Sequence, residues 1–198
     1  MRIQILAAAL VMGLCALTAG AQMGSAGSGP TAGSIVEPSK AVDSALSLIE
    51  AEMMGAVKAM PAEKYGFAPS TVIFVPGQKT EFATVRTFGQ QVAHVAQANY
   101  FFYSALSGLK PDVDMQAVEK LTKKEDAVAA LAGSFAFAHK AIATLTVANA
   151  FEVLKTPEPG IQTRVTFALF GVSHANDHYG QMVEYLRMNG LVPPASAK

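Results

Sequence analysis

The sequence predicts an all-α protein, a four-helix bundle with a long connection after the first helix. Apolar residues recur at steps of three and four over four stretches, each roughly 20 to 28 residues long. Every proline lies outside those stretches. No run alternates apolar and polar residues as a half-buried strand would. Of the 198 residues 51% are hydrophobic and only 15% charged, enough to bury the core of one ordinary domain.

The N-terminus reads as a targeting segment. Arg2 is followed by an apolar run from Ile3 to Leu17, broken only by Gln4 and Gly13, and then by the small-x-small pattern Ala19-Gly20-Ala21. Cleavage is expected after Ala21, giving a signal peptide over 1–21 and an exported bacterial protein, periplasmic or secreted. The bulky Leu14 before Cys15 argues against a lipoprotein signal, so no stable membrane anchor is expected after cleavage. Cys15 is the sole cysteine. The mature chain therefore offers no disulfide and no thiolate ligand, and any metal must be held by nitrogen and oxygen. Residues 22–34 are rich in Gly, Ser and Ala and read as a flexible tether; the domain is expected over 35–198.

Within that domain, Ser39 after Pro38 reads as the cap of a first helix, whose stripe is Val42, Leu46, Ile49, Met53, Val57 and Met60. Pro61 stops it. The long connection that follows contains Pro69 and Pro76, with Thr71 to Val75 as a short extended piece. A second helix is expected from Thr84 or Thr87 to Ser107, with the stripe Val85, Phe88, Val92, Val95, Phe102 and Leu106, ended by Gly108 and Pro111. Met115 to Leu121 reads as a short helical turn. Thr122-Lys123-Lys124-Glu125 has the form of a capping box for a third long helix to about Val147, through Val128, Leu131, Phe135, Ala138, Ile142 and Leu145. The fourth is expected from Ile161 to Asn189, closed by Gly190 in the left-handed conformation, with Leu191 folding back and Pro193-Pro194 preventing continuation.

That last helix carries His174 and His178. Four residues advance about one turn, so both imidazoles leave the same face, and neutral imidazole is a common ligand for zinc, nickel, copper and iron. Such a pair also arises by chance, so its surroundings decide. On a helical wheel Ser173, Asp177, Glu184 and Arg187 share a polar sector, while Phe167, Ala168, Phe170, Tyr179, Met182, Tyr185 and Leu186 occupy most of the rest. Both histidines fall in the apolar sector. Each buried polar group without a partner costs about 1–3 kcal/mol, and the partners on offer are tyrosine hydroxyls, Asn99, Gln91, backbone carbonyls or one shared metal ion. His94 is a third polar intrusion beside the stripe of the second helix. Three histidines from two helices, with a fourth position open, are the donor set of a catalytic metal site. His139 reads as a satisfied histidine at the edge of the third helix. Asp177 reads as solvated, and Asn176 as a second-layer partner for a histidine.

Joined together, Arg86-Thr87-Phe88-Gly89-Gln90-Gln91-Val92-Ala93-His94-Val95-Ala96, His174-Ala175-Asn176-Asp177-His178-Tyr179-Gly180-Gln181 and Tyr185-Leu186-Arg187-Met188-Asn189-Gly190 resemble the DinB-like family over roughly residues 40 to 195. The resemblance implies an up-down-down-up bundle and a divalent metal on His94, His174 and His178, commonly nickel or zinc, with iron or manganese as further candidates. It also implies a small-molecule substrate and, in many members, a homodimer; no apolar stripe here is left over for a partner. Family chemistry includes thiol-dependent S-transfer, in which the metal would lower the pKa of a thiol or water. No residue is marked as a general base, since Glu184 and Asp177 both look outward. Low-molecular-weight thiols are cytoplasmic, so an export signal sits poorly with S-transfer. The charge balance, 15 basic against 15 acidic residues, offers no nucleic-acid surface.

Overall fold

The computed structural model describes residues 29–70, 75–78, 85–155, 160 and 162–197. The expected signal peptide, most of the extended piece at Thr71 to Val75, and Thr84 and Ile161 lie outside them. One compact unit spans Ile35–Lys198. Its long helices are α1 (Pro38–Ala59), α2 (Phe88–Ser107), α4 (Lys124–Ile142) and α5 (Arg164–Met188), with a short α3 (Met115–Glu119) between α2 and α4.

Contacts across the bundle fix the helix directions. Asp43 near the start of α1 meets His139 near the end of α4, and the Lys58 carbonyl near the end of α1 meets Lys124 at the start of α4. These two helices are antiparallel. Gln91 meets His178, and the Leu106 carbonyl meets Arg164, so α2 and α5 are antiparallel too. Lys64, just past α1, donates to the Asn189 carbonyl just past α5, which puts those two C-terminal ends together. The order is up-down-down-up, with α1 and α2 at opposite corners and both packed on α4 and α5. Because α2 and α4 run the same way, residues 108–123 must return along the bundle, and α3 packs on α2 as they do so.

The stripes form one core. Val42, Leu46, Ile49, Met53, Val57 and Met60 are buried, as are Phe88, Val92, Val95, Phe102 and Leu106, and Leu131, Phe135, Ala138, Ile142 and Leu145. Val85 is not part of it: the residue precedes α2 and is 37% exposed. The connection after α1 is tied to the start of α2 by the amides of Phe88 and Gly89, which donate to the carbonyls of Phe67 and Tyr65 at 2.8 Å each.

Four helix ends differ from the expectations. Glu37, not Ser39, caps α1, with Pro38 in the first turn, where its missing N–H and fixed φ suit the helix. The box at Thr122 does not form. Lys123 stands at the cap without a side-chain bond, and Lys124 instead donates to the carbonyls of Lys58 and Met60. Helix α4 stops at Ile142 rather than Val147. There Thr144 Oγ1 donates to the Ala141 carbonyl, and Thr146 and Asn149 exchange two side-chain–backbone bonds, so hydroxyl and amide groups replace the helical ladder. Helix α5 begins at Arg164, capped by a box between Thr163 and Thr166. Its other end is as expected: Gly190 has φ 73°, and the Leu191 amide bonds back to the Leu186 carbonyl at 3.0 Å.

Candidate metal centre

Helices α2 and α5 bring His94, His174 and His178 together, one candidate ligand atom from each lying within 4.8 Å of the others. No other such group of histidine, cysteine or carboxylate side chains occurs among the described residues. Close approach of the helices makes this possible. A Cβ on Gly171 would stand 2.9 Å from the Tyr103 hydroxyl oxygen and 3.0 Å from its ring, so only glycine lets α5 lie this near α2, one turn before His174.

His94 and His174 face each other through their Nε2 atoms, 3.3 Å apart. Two nitrogens held about 2.0–2.1 Å from one tetrahedral ion stand about 3.3 Å apart. The Nδ1 atoms of both rings are buried without a hydrogen-bond partner. His178, 7% exposed, presents Nδ1 to Gln91 Oε1 at 3.0 Å. Because an amide oxygen only accepts, Nδ1 carries the proton and the Nε2 lone pair of His178 is left free. The rings of His174 and His178 are 4.6 Å apart between centroids, and those of His94 and His178 4.9 Å.

All three imidazoles are held neutral, with pKa values pushed down to about 4. Burial is the largest cause in each, followed by the charge of a neighbouring histidine or of Arg86. On one side Phe102 packs edge-on against His174 at 5.3 Å between centroids and contacts Phe167 and Phe170 in turn, an apolar wall that strips water from the ring. Neutral, desolvated, converging nitrogens suit a divalent cation with a taste for imidazole.

The other polar residues of α5 face elsewhere. Asn176 is exposed and donates to the Val172 carbonyl of its own helix at 2.9 Å, so it is not a partner of a histidine. Asp177 is exposed and takes a bond from Gln181, and Glu184 pairs with Arg187. Phe170, expected inside, is 38% exposed at the rim of the aromatic wall. His139 stands apart between α1 and α4, with Nδ1 on Asp43 at 2.5 Å and Nε2 on Glu50 at 2.8 Å. Both its nitrogens are engaged. Burial pulls its pKa down, but the hydrogen bonds and charges of the two carboxylates outweigh burial and raise it. One contributor was missed in sequence: Arg86, whose charge reaches all three histidines. It precedes the cap of α2, where helical spacing gives no signal, and in sequence it stands out only as the first residue of a segment that resembles the DinB-like family.

An up-down-down-up bundle with three histidines converging between two antiparallel helices defines a class of protein able to hold a metal ion. Residues 45–182 match the DinB superfamily, and the chain belongs to that superfamily. The fold is similar to that of a solved DinB-like protein from Bacillus cereus ATCC 10987, with a TM-score of 0.62 and 16% identity over 78% of this chain and 95% of the other. No match is found among functionally curated proteins.

Proposed function

We propose that this is an exported DinB protein that binds one divalent metal ion, nickel or zinc first, through His94, His174 and His178, and serves as a metal-dependent hydrolase or transferase. The observation that carries the reading is the convergence of the three imidazoles, with the Nε2 atoms of His94 and His174 3.3 Å apart and Gln91 on Nδ1 of His178 leaving its Nε2 free. A hydrogen bond between the two rings satisfies one nitrogen pair; an ion satisfies three rings at once. Such an ion supplies a lowered pKa for a thiol or water. The chain's own residues hold the three imidazoles neutral, fix the tautomer of His178 through Gln91, and shield His174 with Phe102. Export, read from Arg2, the run Ile3 to Leu17 and Ala19-Gly20-Ala21, favours water over a cytoplasmic thiol. No helix among the described residues is long and apolar enough to cross a membrane.

A second reading, a metal-binding or stress-related bundle without turnover, is favoured by the outward placement of Asp177 and Glu184: no carboxylate is grouped with the three histidines among the described residues. Elemental analysis of the purified protein against His178→Ala tests what both share. Stoichiometric metal in the wild type and its loss in the variant are expected; equal content in both sinks the site. N-terminal sequencing of protein recovered outside the cytoplasm tests cleavage after Ala21.

A further inference from the structure

At the N-terminal end of α2 lies an open, polar hollow of about 480 Å³ lined by Val85, Arg86, Gln90 and Glu119, within the size range of small-ligand sites. Gln90 stands one turn before His94 on α2, and the charge of Arg86 is felt at all three histidines, which sets the hollow toward the centre. The backbone of Arg86 is pinned to the other histidine-bearing helix, since its carbonyl accepts from the Tyr185 hydroxyl at 3.2 Å. Its guanidinium makes no ion pair among the described residues, and neither does Glu119. Gln90 Oε1 is already engaged by the Thr87 amide at 2.8 Å, which leaves the Gln90 NH₂ as a donor. The lining therefore offers a guanidinium and an amide donor together with one carboxylate.

We propose that Arg86 anchors the carboxylate of a monoanionic small-molecule substrate at the edge of the three-histidine centre. This rests on the metal reading above for the reacting end of the substrate, and on the hollow alone for the anchor. The planar guanidinium matches a carboxylate with two parallel hydrogen bonds. Glu119 in the same lining offsets the guanidinium charge for a dianion, so a phosphate dianion is disfavoured. Selection for charge then comes from the hollow and chemistry from the histidines.

NMR titration of the purified protein with propionate and with inorganic phosphate, in metal-free and zinc-loaded forms, tests the anchor. Propionate is expected to bind the wild type in both forms and to bind Arg86→Gln about fivefold more weakly. Arg86→Lys, which keeps the charge but not the fork, is expected in between. Glu119→Gln should tighten propionate and begin to admit phosphate. No propionate binding in either form, equal binding by Arg86→Gln, or phosphate binding more tightly than propionate in the wild type would overturn the proposal. Metal content measured on the same samples separates the two readings. A wild type without metal but with Arg86-dependent propionate binding sinks the metal and keeps the anchor. Metal with Arg86-independent propionate binding does the reverse.

Discussion

Gln91 Oε1 lies 3.0 Å from His178 Nδ1, and this one contact sets which nitrogen of His178 is free. Both side chains are buried, at 1% and 7% exposure, so water does not substitute for either partner. An acceptor on Nδ1 fixes the tautomer and the ring plane, as outer-layer partners of metal-bound histidines do.

Replacing Gln91 by leucine keeps the volume and removes the acceptor. Metal affinity should fall by about 10- to 100-fold while the helical circular dichroism is retained. Competition with a chromophoric chelator measures it, and unchanged affinity would show that Gln91 does not orient the ring.

Acid should weaken the metal-free protein through the same three rings. Their folded pKa values, about 4, lie below the ordinary histidine value of about 6.5. The unfolded chain therefore takes up protons first as pH falls. Stability is fully present above pH 6.5 and is lost as pH drops from about 6.5 to about 4. Thermal melts of chelator-treated protein should show this decline, and His174→Gln should flatten part of it. A melting temperature that stays level over that range contradicts the placement of the rings.

His139 should behave with the opposite sign. Its raised pKa means that the bridge to Asp43 and Glu50 is fully formed below about pH 6.5 and fades as pH rises through the folded value. The three side chains are 30%, 44% and 31% exposed, so the bridge contributes about 1 kcal/mol or less. His139→Gln should lower the melting temperature more at pH 5.5 than at pH 9 and leave metal content untouched. Lost metal in that variant would put His139 at the centre after all.

Gly171→Ala should disturb the centre without removing a ligand. The new methyl meets the Tyr103 hydroxyl at 2.9 Å, and the ring is fully buried and has nowhere to swing. Overpacking of this kind costs about 1–3 kcal/mol. Chemical denaturation should register that loss, and metal affinity should drop because α5 moves away from α2. Tyr103→Phe in the same background removes the clashing oxygen and should restore part of both.

The large side chains in the core of α1, α2 and α4 were readable because burial follows helical period, yet the stripes omit Tyr103 and small buried residues such as Ala56, Ala96 and Ala141. Helix ends were less readable. Ser39 and Thr122 have the right chemistry for caps, but Pro38 claims the first turn of one helix and Lys124 is drawn to the carbonyls at the end of α1 in the other. Asn176 and Phe170 were misplaced on α5 because a wheel gives a direction, whereas exposure depends on where the neighbouring helices stop.

The sequence by itself determined four amphipathic helices, their rough limits, and three histidines on apolar faces, because spacing at 3.6 residues per turn is local and needs no partner. It also supplied the residue patterns of the DinB superfamily. Only the tertiary structure decided that α2 and α5 come close enough, at Gly171, for His94 and His174 to meet through Nε2. It alone gave Gln91 to His178, turned His139 away to Asp43 and Glu50, and brought Arg86 beside the three rings. Those are contacts between residues 68 or more apart in sequence, or set by the exit of a loop. They follow from how helices pack and end, which no single helix encodes.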